Sequence, residues 1–172
     1  SQKLFLEDLS KSSSDLKDIV KSISIVKECS EQNHDFIVGL GEVWTTQLMT
    51  LKFKDEGLKC SWVDAREVLL VEDTEIGKKA NFKESRQKLD EYLKNKESEF
   101  LIITGFVAQS IEGSITTLGR NGSDYSASLF GNILDASKII IWTDVDGVMS
   151  GDPRKVPEAQ IIKELTYHEA TE

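Results

Sequence analysis

The sequence predicts an α/β fold: a mainly parallel sheet with helices on both faces, in a three-layer α/β/α arrangement. Three observations carry the prediction. Residues 100–106 (FLIITGF) and 138–144 (KIIIWTD) each contain a continuous apolar run of strand length. Both runs stand beside stretches whose apolar residues recur at helical spacing. Glycines and charges collect just after the apolar runs, and not within them. Buried strands alternating with helices indicate parallel pairing under two helical layers. In such sheets ligands gather at the carboxyl ends of the strands.

The elements follow in chain order. Over residues 15–29, Leu16, Ile19, Val20, Ile23 and Val26 keep helical spacing, with Asp15 as a possible cap. DFIVGLGE reads as a short apolar run ended by two glycines. A second helix is expected from about Glu42 to Glu56, closed by Gly57. Residues 58–63 read as a strand, and DAREVLLVEDTEIG as a loop with a short apolar element. Residues 81–96 form a charged amphipathic helix with Phe82, Leu89 and Leu93 on one side. The run at 100–106 is a buried strand, and residues 113–118 another. Ser123 or Asp124 caps a helix reaching about Asp135. KIIIWTD is then a second buried strand parallel to the first, VDGVMSGDPR a loop, and Thr166 the start of a last helix.

Composition excludes several classes. With 172 residues, 39% hydrophobic and 30% charged, the chain fits one domain or a large piece of one. A net charge of −9 argues against nucleic-acid binding, which needs a basic surface. No apolar run approaches the ~20 residues of a membrane helix, and the N-terminus lacks a signal-peptide pattern. Cys29 and Cys60 have no partner at zinc-ligand spacing and read as idle thiols of a reducing cytosol. His34 and His168 fall in no catalytic pattern and read as surface or capping residues.

Two constellations could carry chemistry. In LGRNGSD, Gly119 and Gly122 permit close approach of backbone to a ligand. A helix start near Ser123 offers free N–H groups and a positive dipole end. Arg120 supplies a fork for a carboxylate or phosphate, and Asp124 an acceptor for an ammonium. A ligand with both an anionic and a cationic group, such as an amino acid, suits that set. A tight turn with a helix cap is the plainer reading of the glycines and Ser123 alone. In WTDVDGVMSGDPR, Asp144 could meet a ribose or an exocyclic amine and Arg154 a phosphate, whereas VDG and DPR alone read as turns. GLGE alone is a glutamate at a helix start.

Taken together, GLGE, DAREVL, ITGFVA, TTLGRNGSDYSASL, KIIIWTDVDGVMSGDPRKVPEA and LTYHEATE resemble the aspartokinases of the amino-acid kinase family, in order, from about Phe36 to Glu172. The GRNGSDYSA form, with Asn121 after Arg120, is most similar to the kinase half of bifunctional aspartokinase–homoserine dehydrogenases.

The resemblance implies ATP-dependent phosphorylation of the L-aspartate β-carboxylate. That reaction opens the biosynthesis of lysine, threonine, methionine and isoleucine. It implies that Glu42 pairs with the substrate ammonium and Arg120 with its α-carboxylate. Asn121, Gly122 and Ser123 complete the substrate loop, and Asp124 orients the catalytic lysine. It further implies that Thr143 and Asp144 contact the nucleotide, that Met149 packs against it, and that Arg154 lies near its phosphates. Mg²⁺ arrives on those phosphates, with no metal site of the protein's own. A cytoplasmic homo-oligomer, bound to neither membrane nor nucleic acid, is implied for the full-length enzyme. The family's K-x-G-G-[ST] loop and K-V-L-H-P segment have no counterpart in residues 1–172. These residues are therefore expected to be an internal part of one kinase domain, without turnover alone. The alternatives are another amino-acid kinase, or a non-catalytic ligand-binding or assembly domain.

Overall fold

The computed structural model describes every residue except Ser1, Ile76, Asp144, Val145, Tyr167 and Glu172. The chain forms two compact units, residues 1–139 and 140–172. The first holds the sheets and long helices.

Helix α1 (Gln2–Val26) starts well before the Asp15 expected from the sequence. Among its half-buried residues, Phe5, Leu9, Ser12, Leu16, Ile19 and Ile23 alternate steps of four and three, the seam of a helix packed along another helix. The partner is α2 (Glu31–Asp55), where Trp44 Nε1 donates to Ser12 Oγ at 2.9 Å.

Helix α2 begins at Ser30, whose side chain accepts from the Asn33 amide. It ends with Lys52 and Lys54 in its last turn, and Gly57 follows at φ +85°. The helix therefore includes DFIVGLGE, which the sequence reading had set before it. Gly39 is not a breaker there. A Cβ at that position would sit 2.6 Å from Val107 Cγ1, so the glycine serves close helix–sheet packing.

Strand β1 (Cys60–Val63) pairs in parallel with β4 (Phe100–Ile103). A second sheet has the order β3–β2–β5–β6, with β2 Leu70–Thr74, β3 Gly77–Ala80, β5 Val107–Ser110 and β6 Ile115–Thr117. Its inner pair, β2–β5, is parallel, and antiparallel β3 and β6 extend the two edges. Helix α3 (Ala65–Val68) and β2 replace the loop expected from DAREVLLVEDTEIG. Helix α4 (Phe82–Leu93) lies within the 81–96 span expected from the sequence and is capped by Asn81. Helix α5 (Gly122–Ile133) follows β6. Helix α2 packs on β1, β4 and β6, whereas α4 packs on β2, α3 and α5. Between them lies a core of Val63, Val68, Leu69, Val71, Leu89, Val107 and Phe130.

The second buried strand predicted from the sequence does not form. Residues 139–141 have no sheet partner and are roughly half exposed, Ile140 at 60%. A parallel strand is stable only where neighbours satisfy its backbone groups and helices cover both faces. Among the described residues no strand pairs with this segment, so Ile102 and Ile103 of β4 do not share a sheet with it. Even β4 is half-buried, not fully enclosed.

The second unit is built on turns. Met149 and Ile161 form an antiparallel bridge, supported by Ser150 N–Gln160 O at 2.9 Å and Ile162 N–Val148 O at 2.8 Å. Thr166 does begin a turn, a short 3₁₀ segment Glu169–Thr171 closed by a reciprocal cap between Thr166 and Glu169.

Candidate functional site

The turn between β6 and α5 bears the residues the sequence marked. Gly119 (φ +71°) and Asn121 (φ +59°) are both left-handed, which reverses the chain and aims the α5 N-terminus outward. Asn121 occupies the N-cap position without a side-chain cap bond. The cap thus lies two or three residues before the Ser123 or Asp124 expected from the sequence, and the first amides of the helix keep their donors free of a side-chain cap. Gly122 is buried beneath the turn. A Cβ on it would meet Phe106 Cδ2 at 2.7 Å and Leu118 Cβ at 3.1 Å.

The turn is held from below by Phe106 and Ser126. Phe106 follows β4 and Gly105 in a left-handed conformation (φ +70°), a strained state for an aromatic residue. Its N–H donates to Ser126 Oγ at 2.8 Å, and Ser126 Oγ donates to Gly122 O at 2.8 Å. The Leu118 amide donates to Phe106 O at 2.8 Å. End of strand, turn and helix start are therefore one bonded unit. In the sequence ITGF reads only as the end of a buried strand. The Gly-Phe pair at a strand end was the available signal.

Arg120, Asn121 and Asp124 open into a cavity of about 560 Å³. Its opposite wall is the β2–β3 hairpin, with Lys78 and Lys79. Tyr125 OH donates to Lys78 O at 3.0 Å and fastens the hairpin to α5. The hairpin lysines went unnoticed in the sequence, because GKKA carries no apolar alternation. Each faces an acid across the ladder, Lys78–Asp73 at 2.6 Å and Lys79–Glu72 at 3.7 Å. Among the described residues Arg120, Asp124 and Glu42 have no ion pair, so their charges stand uncommitted.

Glu42 is half-buried on α2 and does not line that cavity. Three contacts on one helix face fix its place. Asp35 bonds to β6, Gly39 touches Val107, and Thr46 Oγ1 lies 3.1 Å from Thr104 Oγ1 just beyond β4. Trp62 Nε1 donates to both threonine hydroxyls at 3.1 Å.

Thr143, Met149 and Arg154 lie in the second unit, and Asp144 lies outside the described residues. Met149 forms the bridge to Ile161. Arg154 grips Asp152 with Nε–Oδ1 at 3.1 Å and Nη2–Oδ2 at 3.2 Å, and its amide donates to the same carboxylate. The Arg154 guanidinium and then its amide hold the Asp152 carboxyl below the usual range. The side chain of Arg154 is otherwise exposed.

The family model of the amino acid kinase family matches residues 6–172. The chain belongs to the amino acid kinase family. Over 169 residues it is 43% identical to bifunctional aspartokinase/homoserine dehydrogenase 2, chloroplastic, of Arabidopsis thaliana, and 41% identical to the corresponding protein 1 of Zea mays. Each match takes in 98% of this chain and 18% of the relative, so the chain spans about a fifth of their length. The crystal structure of Escherichia coli aspartokinase III in complex with aspartate and ADP superposes with a TM-score of 0.76 at 28% identity, over 91% of this chain and 35% of that one. The α/β class read from the sequence is thus the amino acid kinase fold. The resemblance to aspartokinases drawn from the motifs holds across nearly the whole chain. No described helix is long and apolar enough to cross a membrane.

Proposed function

We propose that residues 1–172 are part of one amino acid kinase domain of an aspartokinase. The enzyme containing them transfers the γ-phosphoryl group of ATP to the β-carboxylate of L-aspartate. One observation carries the reading: an uncommitted cation and an uncommitted anion, Arg120 and Asp124, share one cavity at a helix N-terminus. Arg120 there suits the α-carboxylate of a free amino acid, and Asp124 stands beside it where it can orient the groups that react. The solved relative's complex with aspartate and ADP supports the choice of ligands.

In this reading Arg120 holds the α-carboxylate and Glu42 the ammonium. Asn121, Gly122 and Ser123 shape the loop, and Asp124 orients the reacting groups. Thr143, Asp144, Met149 and Arg154 serve the nucleotide. A β-carboxylate is already ionised at neutral pH, an unperturbed Asp titrating near ~3.9, so the reaction needs no general base. Positioning and charge stabilisation carry the catalysis. Mg²⁺ enters on the ATP phosphates in this reading. Asn121 and the plant relatives favour a bifunctional parent with a homoserine dehydrogenase. A homo-oligomer working in the cytoplasm belongs to the same proposal.

Titration of the ¹⁵N-labelled chain with L-aspartate, and separately with Mg-ADP, tests the reading. Arg120→Ala removes a charge-assisted bond and is expected to weaken L-aspartate binding on the order of ten- to a hundredfold, with Mg-ADP unaffected. Equal affinities before and after the substitution, or a clear preference for a different amino acid, would overturn it.

A further inference from the structure

Asp35 is a charged residue that the proposed chemistry does not use, yet it is only 6% exposed. Burying a carboxylate is costly unless donors surround it. Here Oδ2 accepts from the Thr117 amide at 2.9 Å and from Thr116 Oγ1 at 3.0 Å. Oδ1 accepts from Thr117 Oγ1 at 3.2 Å and lies 3.3 Å from His34 Nδ1. Burial alone would raise the carboxyl's pKa. The Thr117 amide, the His34 ring and the two threonine hydroxyls outweigh it, so the group stays ionised.

The location of this cluster gives it meaning. Asp35 lies on α2 two turns before Glu42, which puts both on the same face of the helix. Its partners Thr116 and Thr117 end β6, and Arg120 follows three residues after Thr117. Glu42 and Arg120 are otherwise on separate elements, far apart in sequence. The Asp35 cluster is a side-chain tie between them at the point where β6 enters the turn.

We propose that Asp35 is a positioning residue of the amino-acid site. By bonding α2 to the end of β6 it fixes the span between Glu42 and Arg120, the groups that grip the two ends of the ligand. The inference rests on the aspartokinase reading above. A carboxylate suits the task because it accepts every bond the two threonines offer. A neutral amide keeps one accepting oxygen and turns its NH₂ toward a hydroxyl that can also accept.

The test uses the whole chain. Asp35→Ala is expected to weaken L-aspartate binding on the order of ten- to a hundredfold while Mg-ADP affinity holds, and to speed hydrogen exchange at the Thr117, Leu118 and Gly122 amides. Asp35→Asn should recover part of both. Thr116→Val and Thr117→Val, near-isosteric, should each weaken L-aspartate binding a few-fold, and they carry the test if Asp35→Ala does not fold. A folded Asp35→Ala protein with unchanged amide exchange and unchanged affinity would overturn the proposal. So would an equal loss for both ligands, which marks a general loss of stability. Insensitivity to Arg120→Ala defeats the ligand reading instead. In that case the amide exchange of the Asp35 and Thr117 variants still decides whether the tie holds the loop.

Discussion

At the scale of single residues, the Asp35 carboxylate links stability to pH. Its folded pKa lies below the ordinary Asp value, so its contribution is fully present above the unfolded pKa and fades as pH falls through the folded one. Glu31, Asp73, Lys78 and Glu112 line the cavity beside it, and His34 touches it directly. The chain should therefore lose stability on acidification below about pH 4, and Asp35→Asn should flatten that part of the profile. Denaturant midpoints measured from pH 6 down to pH 3 check this, and parallel curves for the two proteins would refute it. Asn121 offers a second check. It is left-handed, which glycine adopts freely and a β-branched residue resists. Asn121→Gly should be close to neutral, and Asn121→Val should destabilise by about 1–2 kcal/mol in urea unfolding. The turn's charges were legible in the sequence because Arg120 and Asp124 flank two glycines. Asp35 was not, because its threonines lie some eighty residues away and only the fold brings them together.

At the scale of elements, helices with local signals were read well and those depending on distant contacts were not. The amphipathic pattern of α4 and the Gly57 that follows α2 were both visible in sequence. The glycines of GLGE misled because mid-helix glycine costs about 1 kcal/mol and ordinarily marks an end. Their surroundings separate the two. Gly39 abuts Val107, whereas a Cβ on Gly41 would have nothing within 4 Å. Gly41→Ala should thus stabilise the chain by about 0.5–1 kcal/mol, and Gly39→Ala should destabilise it by about 1–3 kcal/mol through overpacking. Thermal or urea unfolding of the pair checks this, and the same sign for both would contradict the packing account. Strand β3 was missed because GKKA has no apolar face. It forms through cross-strand pairing of Lys78 and Lys79 with Asp73 and Glu72, a charged edge that resists further strand addition.

At the scale of the molecule, residues 138–142 read as a core strand because five consecutive residues have the composition of one. A strand, however, belongs to its sheet, and composition says nothing about whether a neighbour is present. Here the segment lies where the two units join in sequence, and Trp142 is 91% exposed. A protease cuts most readily at exposed backbone outside helices and strands, and residues 139–142 are such a stretch. Phe82, Phe100 and Tyr125 are also partly exposed, but each is held in a helix or strand. Trp44 and Trp62 are half-buried, with their indole N–H groups bonded. Brief digestion with chymotrypsin, which cuts after aromatic residues, should therefore cleave first after Trp142. The product ending there should retain the far-ultraviolet circular dichroism of the sheets and helices, since the core lies entirely before residue 139. Iodide should quench the fluorescence of Trp142 far more than that of the other two tryptophans, as a Trp142→Phe variant would reveal. First cleavage inside α4 or α5, or a tryptophan signal shielded from iodide until the protein unfolds, would show that the apolar segment is covered in solution.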